Sequence, residues 1–420
     1  MNIIDNPYNE KIVEFTTQSN MRVIVVSKKS FVNQAVGIGT AFGGLTTSVL
    51  LNQQEKHLQP GLAHFLEHQL FESELGNIMG EFTKCGANVN AFTSYHETVY
   101  YFSTTNPLKK PMTLLMDMVN DVSISEASTQ KEKGIILQEL SMYDQMPEAM
   151  LLKQTFANLY REHPMKNDIG GSKESVQNIT HDDLIQAYNL FYHPSQLTMV
   201  IVSFEDVNVI KQWIENHPLA SKNTQKMDIK PMVVNETFDH LPQSFSMNMD
   251  VSQNKVTVAL PITSFASTSK ARLKQQWAIK VLLESHFSEI NDDYQQWMDQ
   301  GIINELFDYD VDIEQDYGHV LFLFENIKKE EANNFVLEQL QKLTVNKQAF
   351  EQMKRRWIFS SLRVFNRPSS IMTQLLHYSL KNDSYFDVID AIESLTLEDL
   401  QQAKDNLETL TSVVEVTKKN

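Results

Sequence analysis

Cysteine is all but absent from this chain. Its 420 residues include one, Cys85, so no intrachain disulfide can form and no cysteine-rich zinc knuckle is available. Glycine and proline are sparse, at 13 and 12, which excludes collagen-like and low-complexity disordered chains. No stretch reaches the roughly 18 consecutive apolar residues of a membrane span. Met1 to Glu10 is polar and lacks the apolar core of a signal peptide. Positive charge is short as well: 36 Lys and Arg stand against 53 Asp and Glu, for a net charge of −17. Neither sign forms a long run, so nucleic acid and anionic membranes are poor partners. The acidic balance suits a soluble surface, or a mild steering of neutral or cationic ligands. Together these absences lead us to expect a soluble chain in a reducing, cytoplasmic compartment.

Hydrophobic residues make up 42% of the chain, enough to fill two cores of about 200 residues each. The first half predicts strands at Ile12–Thr16, Met21–Ser27 and Gln34–Phe42, the last rich in small residues. Helices follow at Leu62–Phe71 and Ile78–Lys84, then strands at Asn88–Ser94 and Thr98–Ser103. Amphipathic helices are expected at Leu108–Asp121, Ser125–Tyr143, Met150–Arg161, Ser172–Asn178 and His181–Tyr192, and a closing strand at Leu197–Ser203. Residues 216–240 lack any clean period and mix Pro218, Ser221, Asn223 and Pro231, as a linker does. The expected division is therefore a first domain over 1–215, a linker over 216–240 and a second domain over 241–420. The second half repeats the α+β grammar more loosely. It predicts strands at Ser244–Val251 and Lys255–Pro261, around Glu305–Tyr309 and His319–Phe324, and at Thr411–Val416. Thr396, with Asp399 three residues on, is the expected cap of a last helix, Leu397–Leu407.

The chemistry concentrates at His64-Phe65-Leu66-Glu67-His68. Two histidines four apart on a helix share one face, about one turn apart, and can meet a single Zn²⁺. Glu67 leans over the same face without being a ligand, where it can take a proton from water. This is the H-x-x-E-H pattern of inverzincins. A lone helical histidine is more often a satisfied surface or core group, so the motif needs a third ligand. Glu139 is the candidate, with Glu132 two turns earlier on the same face. A pair stacked in this way suits one ligand and one carboxylate that orients the site. A helical Glu is usually solvent-exposed, but the neighbours Ile135, Ile136, Leu137 and Leu140 argue for partial cover. Tyr95, His96 and Glu97 are expected in an exposed turn, a substrate contact being the other reading. Met142, Met146 and Met150 are expected to pack, and Tyr100, Tyr101 and Phe102 to lie in the core.

These residues resemble the pitrilysin/insulinase metallopeptidases. The stretch Gly61 to Phe71 is similar to the family's active helix. Gly86 to Ser94, followed by Thr98, Tyr100 and Tyr101, resembles its edge strand beside the metal. Glu132 to Glu139, with Asp144 and Pro147, resembles its glutamate helix. His163-Pro164, Gly170-Gly171 and Tyr192-His193-Pro194 resemble the end of its first domain. The likeness covers most of residues 1–205, and its wording is similar to the short bacterial YmfH-like branch. The resemblance implies an α+β fold of two homologous pitrilysin-type domains, each a mostly antiparallel sheet packed by helices, together one half of a clamshell. It implies a zinc-dependent endopeptidase subunit that takes short or unfolded peptides. One Zn²⁺ per chain would be held by His64, His68 and Glu139, with Glu67 as base and Glu132 in support. Substrate backbone would pair with the strand carrying Asn88, Asn90, Ala91, Phe92 and Thr93.

One departure bears on partners. Active relatives carry an Arg and a Tyr in a pattern like R-E-x-G-L-x-Y, whereas here Met298-Asp299-Gln300-Gly301-Ile302-Ile303-Asn304 places Met298 and Asn304 at those positions. A heterodimer with a metal-free paralogue that supplies both groups is therefore expected, a homodimer remaining open. The rival functions are a non-catalytic binding or scaffold subunit of the same fold and a hydrolase of non-peptide substrates.

Overall fold

The structure is a computed structural model. It describes residues 1–73, 76–121, 123–238, 241 and 244–419, with the backbone alone at 72, 73, 76 and 77. Residues 239 and 240 of the expected linker lie outside that set. The chain condenses into two compact units. One comprises Met1–Leu140, Asp168–Met232 and Arg363–Tyr385, and the other Ser141–Asn167, Val233–Leu362 and Phe386–Asn420.

The first unit is built on a seven-stranded sheet. Its strands are β1 (Asn2–Ile4), β2 (Ile12–Thr16), β3 (Arg22–Ser27), β4 (Gln34–Thr40), β5 (Ala87–Thr93), β6 (Thr98–Thr104) and β7 (Leu197–Ser203). Their spatial order is β1-β2-β3-β7-β4-β6-β5, antiparallel except for the β3–β7 pair. The central strand β7, Leu-Thr-Met-Val-Ile-Val-Ser, is buried along its whole length, as an apolar run covered on both faces must be. Strand β5 is the outer one, and no described strand pairs with its free edge. Four helices bear on the site: α1 (Leu62–Phe71), α2 (Ile78–Lys84), α3 (Lys109–Asn120) and α4 (Glu126–Tyr143). Val36 and Ile38 of β4 join their apolar residues in one core.

The opposite face of the same sheet is covered by a helix from far along the chain, Pro368–Leu380. Alternation along β4 puts Gly37 and Gly39 on that face. A Cβ at Gly37 would run into the Met372 sulfur, and one at Gly39 would come within 3.0 Å of Leu380 Cδ1. The small residues of β4 thus let this helix lie close against the strand.

The second unit repeats the plan with β8 (Ser244–Met249), β9 (Lys255–Pro261), β10 (Asp308–Ile313), β11 (Gly318–Glu325) and β12 (Ser412–Lys418). Their order is β8-β12-β9-β11-β10, again with one parallel pair, β8–β12. This matches β3-β7-β4-β6-β5 strand for strand, so the chain is a structural duplication. Here the helix from the other half is Pro147–Leu159, which packs on β9 and β12. Each unit thus takes in one helix from the opposite half of the sequence, which a division into contiguous domains does not anticipate. The segment expected as the linker carries a short helix, Pro218–Ser221, and a strand, Ile229–Pro231, paired with Val49–Leu51.

Three local expectations need correction. Met142 and Met146 are exposed rather than packed, and so is Ile135: Ile135 and Met142 lie off the buried stripe Thr129, Glu132, Ile136 and Leu140 of α4, and Met146 caps the start of the next helix. Glu97 is 3% exposed, so the turn expected to be open is closed at that residue. The helix expected at Met150–Arg161 begins at Pro147, with Pro as its first residue, a position that needs no amide proton.

Candidate metal centre

Helix α1 shows why the motif can work. Leu62, Phe65, Leu66, Gln69 and Leu70 are buried, a three-to-four spacing that turns one face into the core. The other face is left to His64, Glu67 and His68. The helix is entered through Gly61 at φ +89°, where a Cβ would stand 2.5 Å from Gly170 O. Only glycine tolerates both the positive φ and that approach. Helix α4 brings the carboxylates. Glu132 falls within its buried stripe, and Glu139, two turns on, reaches the histidine face.

The three expected ligands converge. One donor atom each from His64, His68 and Glu139 lie within 4.8 Å of one another. Glu139 Oε2 is 3.4 Å from His68 Nε2 and 3.9 Å from His64 Nε2. Tetrahedral ligands about 2.1 Å from zinc stand about 3.4 Å apart, so only small rotations separate this cluster from a coordination shell. Two imidazole nitrogens and one carboxylate oxygen form the donor set of a catalytic zinc site with a position left open. Burial, followed by the neighbouring His68, lowers the pKa of His64. That favours the neutral ring a ligand needs. The residues therefore fit a zinc ion.

Glu132 is 4% exposed, and its Oε2 lies 3.2 Å from His68 Nδ1. A carboxylate there accepts a hydrogen bond from Nδ1–H, which keeps the proton on Nδ1 and leaves the Nε2 lone pair facing Glu139. His64 has no counterpart: its Nδ1 is buried without a partner among the described residues. Glu67 is not part of the ligand cluster. Its pKa is raised, chiefly by burial, against the opposing pull of a hydrogen bond from Thr93.

Strand β5 is the other wall. Its register with β6 pairs Thr93 with Thr98 and Asn90 with Tyr101. Thr93 Oγ1 donates to Glu67 Oε2 at 2.5 Å, so Thr93 contacts the motif directly, a role its position in a sequence pattern did not reveal. Ala91 lies two residues away on the same strand face. Asn88, Asn90 and Phe92 alternate onto the other face. Asn88 and Asn90 are exposed, Asn90 Oδ1 accepts from Ala91 N, and Phe92 packs edge-on against Tyr101. The structure thus brings Thr93 to the motif and leaves those three side chains away from it. Their strand still offers its backbone along a free edge.

In the second unit, the Met298 to Asn304 stretch ends a short helix and turns at Gly301, φ +70°. Met298 packs at the border of that unit's core, and Asn304 Oδ1 accepts from Leu306 N.

Residues 52–173 fit the family model of the insulinases (peptidase family M16), and residues 178–356 fit that of the peptidase M16 inactive domain. The chain is 32% identical over 400 residues to a Bacillus subtilis protein named uncharacterized zinc protease YmfH, covering 94% of this chain and 92% of that one. It is 25% identical over 184 residues to the bovine (Bos taurus) mitochondrial-processing peptidase subunit beta, covering 42% of this chain and 37% of that one. An M16-like peptidase from Alicyclobacillus acidocaldarius superposes over all of both chains with a TM-score of 0.92 at 23% identity, a likeness of fold. Among the described residues, no helix is long and apolar enough to cross a membrane.

Proposed function

The chain belongs to the insulinase family, peptidase family M16, and on that footing we propose that it is the zinc-bearing subunit of an endopeptidase acting on short or unfolded peptides. The observation that carries this reading is the convergence of His64, His68 and Glu139 within 4.8 Å, with the Glu67 carboxyl beside them and outside the ligand set. Bound there, zinc would supply Lewis acidity toward a scissile carbonyl and toward water. Glu67 accepts the proton of the attacking water and returns it to the leaving amine. Its burial favours that exchange by raising its proton affinity. Glu132 holds His68 in one tautomer. The free edge of β5 receives an extended peptide by main-chain pairing, in register with the metal because Thr93 of that strand touches Glu67.

We propose further that the active assembly has two halves and that a metal-free paralogue supplies the second. Met298 and Asn304 offer neither the cation nor the phenol expected to steady an oxyanion. The name of the bovine relative, subunit beta, accords with such an arrangement. One zinc per chain follows from one ligand cluster among the described residues, and the single cysteine accords with a cytoplasmic location.

Glu67→Gln tests the reading. It should keep zinc at the wild-type stoichiometry and lower peptide cleavage roughly 10²–10⁴-fold, measured on the chain with and without its paralogue. Wild-type protein that binds zinc and cleaves no peptide in either state would instead support the scaffold role.

A further inference from the structure

The helix Pro368–Leu380 does more than cover a sheet. It presents His377 to the turn that joins β5 to β6, and there His377 meets Glu97. Its Nδ1 lies 3.0 and 3.1 Å from the two carboxylate oxygens. The two residues are 280 positions apart in the sequence. The helix is a firm platform: Ile371, Met372, Leu375 and Leu376 are buried, and Arg22 Nη1 donates to Ser379 O at 3.1 Å.

The turn it grips is held by its own hydrogen bonds and adjoins the site through Thr93. Ser94 N donates to Glu97 O at 2.8 Å, and Glu97 N donates to Ser94 Oγ at 3.2 Å. On its far side the turn is held by Gly44 N to Ser94 O and Leu45 N to Tyr95 O, each 2.9 Å. Immediately before it stands Thr93, whose hydroxyl reaches Glu67. Immediately after it, Thr98 Oγ1 donates to Phe42 O at 2.7 Å. A carboxylate only 3% exposed is a poor way to stabilise a turn, because its desolvation offsets most of what the pair returns. It is an effective way to fix one position, because the buried charge allows few alternatives.

We infer that His377 is a positioning residue: through Glu97 it sets where the end of β5 stands beside Glu67, and so how tightly an extended peptide is held on that edge. The inference rests on the peptidase reading of the site for its consequence, though not for the coupling itself. The catalytic unit is then completed by a residue from the C-terminal half of the chain.

The test is a double-mutant cycle on the full-length chain, with its paralogue where one is needed. His377→Ala strands the Glu97 carboxylate and should raise KM for a peptide roughly tenfold, the ordinary size of a coupling between contacting residues. Zinc stoichiometry should be unchanged, since the ligands sit on α1 and α4, and kcat should change less than KM. Adding Glu97→Gln removes the stranded charge and should restore KM to within about threefold of wild type. His377→Asn, which keeps a donor near the Nδ1 position, should resemble wild type and serves if the alanine variant folds poorly. Amide hydrogen exchange over residues 93–98 reads the same coupling without cleavage: faster in His377→Ala, slowed again in the double variant. Unchanged KM and exchange in His377→Ala, or simple additivity in the cycle, overturns the proposal. A wild-type chain that cleaves nothing refutes the peptidase reading, and the exchange data then decide the coupling on their own.

Discussion

Removing Glu132 should weaken zinc binding without removing a ligand. Glu132 Oε2 lies 3.2 Å from His68 Nδ1, while Glu139 Oε2 waits 3.4 Å from Nε2 of the same ring. In Glu132→Ala the Nδ1 proton loses its acceptor in a site where the carboxyl was 4% exposed. The ring is then free to take the other tautomer, which points a proton rather than a lone pair at the metal position. Losing an outer-shell partner of this kind typically costs 10- to 100-fold in metal affinity, about 1.4–2.7 kcal/mol. Glu132→Gln keeps an acceptor but forfeits the charge-assisted part of the bond, so it should fall between alanine and wild type. Glu139→Ala deletes a ligand and should lose more than either. Competition against a chromophoric chelator at pH 7.5 measures all four dissociation constants, and melting of the zinc-free proteins checks that each folds. A Glu132→Ala constant within twofold of wild type, or one as poor as that of Glu139→Ala, would show the orienting role to be wrong.

Two further outcomes can be checked by stability alone. His319 is buried in the second unit with Nδ1 2.8 Å from the Tyr160 hydroxyl, and burial pushes its pKa below the ordinary value, with Asp312 and Asp310 opposing. Between the folded value and the unfolded one near 6.5, the unfolded chain binds more protons. Its contribution is therefore whole above about pH 6.5 and is lost as pH falls through the folded pKa, by at most about 1.4 kcal/mol per pH unit. Urea midpoints between pH 7.5 and 5 should fall more steeply for wild type than for His319→Gln, with part of the slope left to His286, which burial shifts the same way; parallel slopes would refute this. Gly171→Ala should destabilise the first unit by about 3 kcal/mol. Residue 171 holds φ +79°, and its Cβ would stand 2.5 Å from Pro60 O. An unchanged unfolding midpoint would contradict the backbone contact.

How much could be foreseen depended on the range of each interaction. The motif on α1 was legible because a helical period is local: the spacing of His64, Glu67 and His68 fixes their shared face before any tertiary contact. Glu139 and the outer strand β5 were legible through their resemblance to a family, and the geometry accords with both. The cap at Thr396 was legible too, and its hydroxyl accepts from Asp399 N while the Asp399 carboxylate receives the Thr396 amide. The helix Val207–Glu215 had its signal, Asp206 as cap and buried Ile210 and Ile214 one turn apart, and went unrecognised. Strand β10 was misplaced because Asp308, Asp310 and Asp312 dilute its apolar content, although they alternate with Tyr309, Val311 and Ile313 as a half-buried strand requires. The exchange of Pro147–Leu159 and Pro368–Leu380 was beyond reach. Amphipathicity says that a helix face is buried, never against which of two similar sheets. Glu97 failed for the same reason, since its partner lies 280 residues away.

The duplication also shows what stands in the second unit where the first gathers its metal donors. In the second sheet, the helix Ser269–His286 follows β9 as α1 follows β4, and Lys347–Arg363 follows β11 as the second helix, as α4 follows β6. Where the first unit sets histidines facing carboxylates, this pair sets Glu284, 6% exposed, facing Arg356 and Trp357. Arg356 Nη1 donates to Glu284 Oε1 at 2.5 Å, and the Trp357 indole N–H donates to the other oxygen. Trp277 closes the gap, its ring 4.9 Å from that of Trp357. The carboxylate's charge is met by a guanidinium built into the chain, and two indoles occupy the volume around it. Among the described residues, the same scaffold gathers three metal donors in the first unit and an Arg–Glu–Trp cluster at the corresponding helices of the second.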